Sequence, residues 1–179
     1  MRKLRTHELN RLEPAQYKEA VKIPLIVALD HVRSSNNIGS IFRTCDALLV
    51  QSLYLCGITA VPPNKDIHKT ALNAEKWVDW KYFEHTEDAV ASLKANGFSV
   101  FAIEQIDTSI MLPNFKPRKN EKLALIFGNE VKGVQQKVID LCDGAIEIPQ
   151  FGTKHSFNVS VSAGIVLWDI VNKIKERLV

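Results

Sequence analysis

The chain has 179 residues, 46% of them apolar and 24% charged, with a formal net charge of +3. These values suit one globular domain with a real core, and they exclude a disordered, collagen-like or repeat protein. The slight basic excess permits a nucleic-acid partner without demanding one. The three cysteines have no C-x-x-C pairing, so they imply neither a disulfide framework nor a zinc site.

Residues 1–22 read as a basic extension, in which Leu4, Leu9 and Leu12 give part of a helical face and Pro14 breaks it or starts a second turn. It serves either as a solvated capping helix or as an arm that touches phosphates. No apolar stretch follows the charged start, so a signal peptide is not expected and the location expected is cytoplasmic. Leu25 to Leu29 is a continuous apolar run, the pattern of a strand buried on both faces of a parallel sheet. A loop over 30–36 leads to a helix from Asn37 to Leu48, with Ile38, Ile41, Phe42, Cys45 and Leu48 on one face.

Ser52 to Cys56 is the next expected strand, followed by a turn-rich loop and a short helix around Ile67 to Ala74. Trp77 to Phe83 alternates like a strand. Thr86 is a candidate N-cap for a helix over 87–95, and Asn96-Gly97 ends it. Phe98 to Ile103 is a strand, 107–120 a loop with Lys116, Arg118 and Lys119, and Leu123 to Phe127 a further strand. Val134 to Leu141 makes a short helix and Ala145 to Ile148 the sixth strand. Ser156-Phe157-Asn158 then opens a long apolar helix, too interrupted by Ser160, Ser162 and Asp169 to span a membrane. Strands alternating with helices predict an α/β fold, a parallel sheet flanked by helices, with residues 23–179 as a single domain.

Familiar chemical signatures are missing. There is no G-x-G-x-x-G, and Val134 stands where a P-loop would put Lys. The five histidines form no ligand cluster, so no metal is expected. Ser156 lacks a G-x-S-x-G elbow. What stands out is three polar strand-to-helix junctions, carrying Asn37 and Arg43, then Asn129 and Glu130, then Ser156 and Asn158. Ligands of open α/β sheets bind at such junctions, and one crevice results if the three strands are neighbours. Each residue also has a plainer explanation. Asn37 and Ser156 could cap helices, Arg43 could pair with Asp46, and Glu130 could be a solvated loop acid.

Asn37-x-Gly39-x-x-x-Arg43, then Ile126-Phe127-Gly128-Asn129-Glu130-x-x-Gly133, then Ile148-Pro149-x-x-Gly152-x-x-x-Ser156-Phe157-Asn158-Val159-Ser160 resemble the three motifs of the SpoU (TrmH) family. That family comprises the S-adenosylmethionine-dependent RNA ribose 2′-O-methyltransferases of the SPOUT class. The match runs over about residues 23–175 in order and spacing. Phe157 replaces the usual Leu, and Gln150 a frequent Met.

The resemblance implies a SPOUT-type fold with a C-terminal trefoil knot and S-adenosyl-L-methionine as cofactor. It also implies a homodimer whose site is completed at the subunit interface. The implied substrate is an RNA ribose 2′-hydroxyl, with tRNA favoured over large-subunit rRNA. A non-catalytic RNA-binding module of the same fold is the alternative. By motif position, Asn37, Arg43, Glu130, Ser156 and Asn158 are the implied catalytic set, and Ile103, Gly128, Ile148 and Phe157 the implied cofactor contacts. His31 and His155, beside the motifs, are further candidates for accepting a proton. The basic extension and the 116–119 loop are candidate phosphate contacts.

Overall fold

The computed structural model describes residues 1–176; the end of the expected domain, 177–179, lies outside the described residues. Seven strands form one sheet in which every pairing is parallel: β1 (Ile23–Asp30), β2 (Val50–Cys56), β3 (Trp80–Phe83), β4 (Phe98–Ile103), β5 (Ile110–Met111), β6 (Lys122–Phe127) and β7 (Gly144–Glu147). Their spatial order is β3-β2-β1-β6-β4-β7-β5. Register aligns Ala28 of β1 with Tyr54 and Ile126, and Ala102 of β4 with Ile126 and Ala145. The helices are α1 (Pro14–Glu19), α2 (Ser35–Ala47), α3 (Lys65–Ala71), α4 (Thr86–Ala95), α5 (Gln136–Ile139) and α6 (Val159–Glu176).

Alternation along the strands divides the core in two. Leu25, Val27 and Leu29 point to one face, where Ile38, Ile41 and Phe42 of α2 and Ala163, Leu167 and Ile170 of α6 cover them. Ile26 and Ala28 point to the other, against Ala89, Val90 and Leu93 of α4 and Val138 of α5. The continuous apolar run of β1 therefore does mark a strand covered on both sides.

Several local expectations change. Thr86 does not cap α4, which begins at Thr86 itself after His85. Its hydroxyl is buried and donates to Asp30 Oδ1 at 2.6 Å, so a tertiary bond takes the group that local pattern assigned to the helix end. The expected strand over 77–83 is confined to 80–83, because a 3-10 turn at Ala74–Lys76 runs into its start. The stretch 107–120 is not all loop, since Ile110–Met111 pairs with β7 at the sheet edge. Two residues are too few to show an alternation.

The two long helices each start elsewhere than expected. Ser34, not Asn37, caps α2, and Ser156 caps nothing, because α6 starts at Val159. Leu4, Leu9 and Leu12 are exposed, so they form no buried stripe. The extension is anchored instead by Tyr17 of α1, 5% exposed within the α2-side core. The basic loop 116–119 leads into the start of β6, at the edge of the sheet opposite the polar junctions. It therefore cannot meet the same nucleotide as those junctions within one subunit.

Tyr17 Oη is buried with no partner, and burial, with Asp46 nearby, pushes its hydroxyl pKa up. Deleting a buried unpaired hydroxyl costs little, whereas truncating a packed ring leaves a void. Thermal denaturation is expected to show Tyr17→Phe within about 1 kcal/mol of wild type and Tyr17→Ala lower by about 3 kcal/mol.

Candidate active site

The carboxyl ends of β6, β4 and β7 open onto one cleft of about 670 Å3, and the β1–α2 junction is bonded to its edge through Glu130 and Asn158. Three chain segments make its rim. The first is the β1–α2 junction, where Ser34 Oγ accepts from Asn37 N at 3.3 Å and starts α2. The second is residues 128–135 after β6. Asn129 N donates to Gly133 O at 3.0 Å, Gly133 N donates back at 2.9 Å, and Asn129 Oδ1 accepts from Val131 N at 2.9 Å. The third is the exposed stretch 151–158 before α6, whose end is fixed by Asn158 Oδ1 accepting from Ser160 N at 2.9 Å.

Glu130 joins the first two. Its Oε2 accepts from Arg33 N at 3.0 Å, and its Oε1 accepts from Ser34 N at 3.0 Å and from Asn37 Nδ2 at 3.2 Å. Asn37 joins the third, because its Oδ1 accepts from Asn158 Nδ2 at 3.2 Å. Three segments thus share one line of hydrogen bonds, Asn158 to Asn37 to Glu130, in which Asn37 lies 93 residues from Glu130 and 121 from Asn158. Glu130 is no freely solvated acid. Partial burial pushes its carboxyl pKa up, but the N–H groups of Arg33, Glu130 and Ser34 and the Asn37 amide outweigh this and hold it below the ordinary value of 4.5.

The strands bearing these junctions are not all neighbours, since β4 lies between β6 and β7. The junctions converge because the chain after β7 returns across the ends of β4 and β6 to reach α2.

The candidate catalytic residues divide. Asn37, Glu130 and Asn158 are bonded together; Glu130 and Asn158 line the cleft while Asn37 stands behind them, and Ser156 lines it with no hydrogen bond among the described residues. Arg43 is elsewhere. It is exposed, lines a second groove of about 990 Å3 with Thr44 and Trp168, and makes no ion pair among the described residues. The expected Arg43–Asp46 pair is therefore absent there, and so is any bond from Arg43 to Glu130. Six residues along α2 set a side chain roughly 120° from Asn37 around the helix axis, which explains the separation.

Ile103, Gly128, Ile148 and Phe157 all line the cleft. Gly128 is required for a reason other than ligand approach. A Cβ there would lie 2.1 Å from Gly133 C and Val134 N, so the loop's own closure demands it. His31 turns away from the cleft lining. Its ring covers Gly57 and its Nδ1 accepts from Ile58 N at 3.4 Å. His155 does line the cleft. Sequence reading passed over Ser34, whose position before a helix was the available signal. It also passed over Glu104, an acid directly after an apolar strand that lines the cleft.

The cleft fits a nucleoside-containing cofactor. Its volume falls in the range of roughly 300–1,000 Å3 typical of such sites. Ile103, Ile148 and Phe157 offer an apolar wall, while Glu104, Gln150 and Ser156 offer polar groups. Among the described residues no group of three or more His, Cys, Asp or Glu could hold a metal ion. Cys56 is buried and Cys142 partly so, which raises Cys56 to about 12 and Cys142 to about 11 and keeps them protonated.

A parallel α/β sheet with a cofactor-sized cleft at its carboxyl edge defines an open α/β ligand-binding fold, and its solved structural neighbours are SpoU-type SPOUT proteins. The chain belongs to the SpoU rRNA Methylase family, whose model matches residues 24–168. The tRNA (guanosine(18)-2′-O)-methyltransferase of Thermus thermophilus is 33% identical over 146 residues, 81% of this chain and 73% of that protein. The crystal structure of the TrmH/SpoU tRNA modifying enzyme of A. aeolicus superposes with a TM-score of 0.81 at 27% identity, covering 92% of this chain and 83% of that one. An AdoMet-bound rRNA methyltransferase from Sinorhizobium meliloti shares the fold, with a TM-score of 0.78 at 24% identity over 91% of this chain and 60% of that one.

The depressed pKa of Glu130 gives a pH dependence. Its contribution to holding the β1–α2 junction is complete above 4.5, the ordinary value, and is lost as pH falls through its lower folded value. Acid unfolding followed by circular dichroism should therefore lose part of its steepness below pH 4.5 in Glu130→Gln, with little difference in the slope near neutrality.

Proposed function

We propose that this protein transfers a methyl group from S-adenosylmethionine to a ribose 2′-hydroxyl of tRNA, in the cytoplasm and as a homodimer. The observation that carries this reading is the Asn158–Asn37–Glu130 line of hydrogen bonds, which assembles the three motif segments at the mouth of one cleft. The substrate class follows the Thermus thermophilus relative, named for 2′-O-methylation of a tRNA guanosine.

When bound, the cofactor supplies a methyl already activated on a sulfonium. Ile103, Gly128, Ile148 and Phe157 would hold it, and the rest of the work is alignment, for which roughly 7–11 kcal/mol is available. Asn37 and Glu130 are bonded to each other, so we assign them the task of fixing the rim rather than of moving protons. Ser156 and the free hydrogen of the Asn158 amide are left to meet the ribose.

Arg43 is unsuited to act as a base, because guanidinium is a delocalised cation with donors only. It would bind phosphate and stabilise the developing 2′-alkoxide, and His155 is the titratable acceptor in the cleft lining.

The separation of Arg43 from the cleft supports the dimer. So does an exposed stripe on α6, Val161, Ile165 and Trp168, at the spacing of one helix face. Arg43 of the partner subunit would then complete the site. The return of residues 148–158 across β4 and β6 supports a knotted C-terminal end. Phe151, 97% exposed beside Lys154 and His155, offers a face on which an RNA base can stack.

Nucleoside mass spectrometry of unmodified tRNA incubated with protein and S-adenosylmethionine should find one 2′-O-methylated ribose that resists alkali. Methylation on a base would overturn the reading, and a modified site found only in large-subunit rRNA would reassign the substrate. Arg43→Ala and Asn37→Ala should each be inactive alone. Mixed and allowed to exchange subunits, they should recover about a quarter of wild-type activity, the share expected from random pairing. No recovery in proven mixed dimers would place Arg43 in its own subunit's site. Phe151→Ala should raise KM for tRNA about fivefold or more while cofactor affinity holds.

A further inference from the structure

Residues 128–135 present Glu130, so the site works only if this loop is held in place. Its internal bonds fix its shape but not its position. Position is set at its far end, where two successive backbone N–H groups go to carboxylates on different strands. Val134 N donates to Glu104 Oε2 at 2.9 Å, and Gln135 N donates to Asp30 Oδ2 at 2.8 Å. Gln135 Nε2 adds a bond to Asp30 Oδ1 at 2.8 Å. Asp30 ends β1 and Glu104 follows β4, the two strands that flank β6. The loop leaving β6 is therefore gripped from both sides.

Asp30 is fully buried, and among the described residues its carboxylate has no ion pair at hydrogen-bond distance. The nearest cationic candidate, His31 Nε2, is 4.0 Å away. A buried carboxylate satisfied only by neutral donors is a costly way to fill space, and an apolar residue would serve packing better. What it provides is direction, since three donors meet two oxygens at fixed angles. Glu104 is matched as closely. A Cβ on Gly133 would lie 2.1 Å from Glu104 Oε2 and would sit on a backbone with φ +66°, so a side chain there would displace the acid and strain the loop.

We propose that Asp30 and Glu104 are positioning residues for methyl transfer, clamping residues 128–135 so that Glu130 meets the β1–α2 junction before substrate arrives. This rests on the methyltransferase reading of the same cleft. Asp30 touches neither substrate nor cofactor, for it is not part of the cleft lining. Thr86 bonds the same carboxylate from α4, away from the loop, and so separates structural support from positioning.

The test compares Asp30→Asn with Thr86→Val in the full chain. In Asp30→Asn, amide hydrogen exchange across 128–135 should accelerate, and kcat should fall about tenfold or more while KM for tRNA stays within about twofold. Thr86→Val should lower the melting temperature yet leave kcat and loop exchange within about twofold. The proposal is overturned if Asp30→Asn keeps wild-type kcat and loop protection, or if Thr86→Val loses as much kcat. Should Asp30→Asn not fold, Glu104→Ala, which removes the acceptor of Val134 N, carries the test, read by exchange at Val134, and unchanged protection there overturns the clamp. If the wild-type protein neither binds S-adenosylmethionine nor methylates tRNA, the functional reading fails while loop exchange still decides the clamp.

Discussion

The site depends on one carboxylate taking N–H groups that a helix start leaves free. The first turn of α2 has backbone donors without intrahelical partners, and the two residues before it, Arg33 and Ser34, add theirs. Glu130 arrives from the loop after β6 and accepts from both, then from the Asn37 amide. Negative charge is favoured there by the helix dipole as well as by the donors. Without it, the β1–α2 junction and the 128–135 loop would share strand neighbours but no bond at the rim. Asn158 could then fix Asn37 to nothing else, and the return segment before α6 would have no anchor at the cleft.

This dependence explains how much was legible in the sequence. Strands such as Leu25–Leu29 and Leu123–Phe127 were readable because burial on both faces leaves an unbroken apolar run, whatever the partners. The polar junctions were readable because Asn, Ser and Glu beside such runs need a reason. Their partners were not. Thr86 has the residue type and place of an N-cap, yet a buried carboxylate 56 residues away is a stronger claimant. Gly128 has a tertiary reason that its place in a motif does not show, because a Cβ there would meet Gly133 and Val134. Local pattern records what a residue can do, and tertiary contact decides which of those it does.

The convergence of the junctions was the least legible feature. Neighbouring strands were the simplest way to bring three loops together, and the sheet does not provide them, because β4 separates β6 from β7. The last junction reaches the others through the eleven residues from Ile148 to Asn158, which run back over the sheet edge before α6 packs on the α2 side. A chain of that length can span roughly 35 Å when extended, ample for crossing two strands. Its polar, glycine-containing sequence suits a path over the surface, where backbone groups meet solvent.

Arg43 follows from the same geometry applied to one helix. Asn37 and Arg43 share a motif, so sequence spacing alone groups them, but six residues of α-helix set them roughly 120° apart around its axis. In this subunit they face different ways. Asn37 faces Glu130, while Arg43 faces the groove beside Trp168. Both can still serve one reaction if two copies meet through the α2–α6 side, each presenting its cleft to the other's Arg43. On the proposed dimer, the exposed α6 stripe and the unpaired guanidinium have one explanation: the subunit is built as half of two sites, with its rim-fixing groups on one face of α2 and its phosphate-binding cation on another.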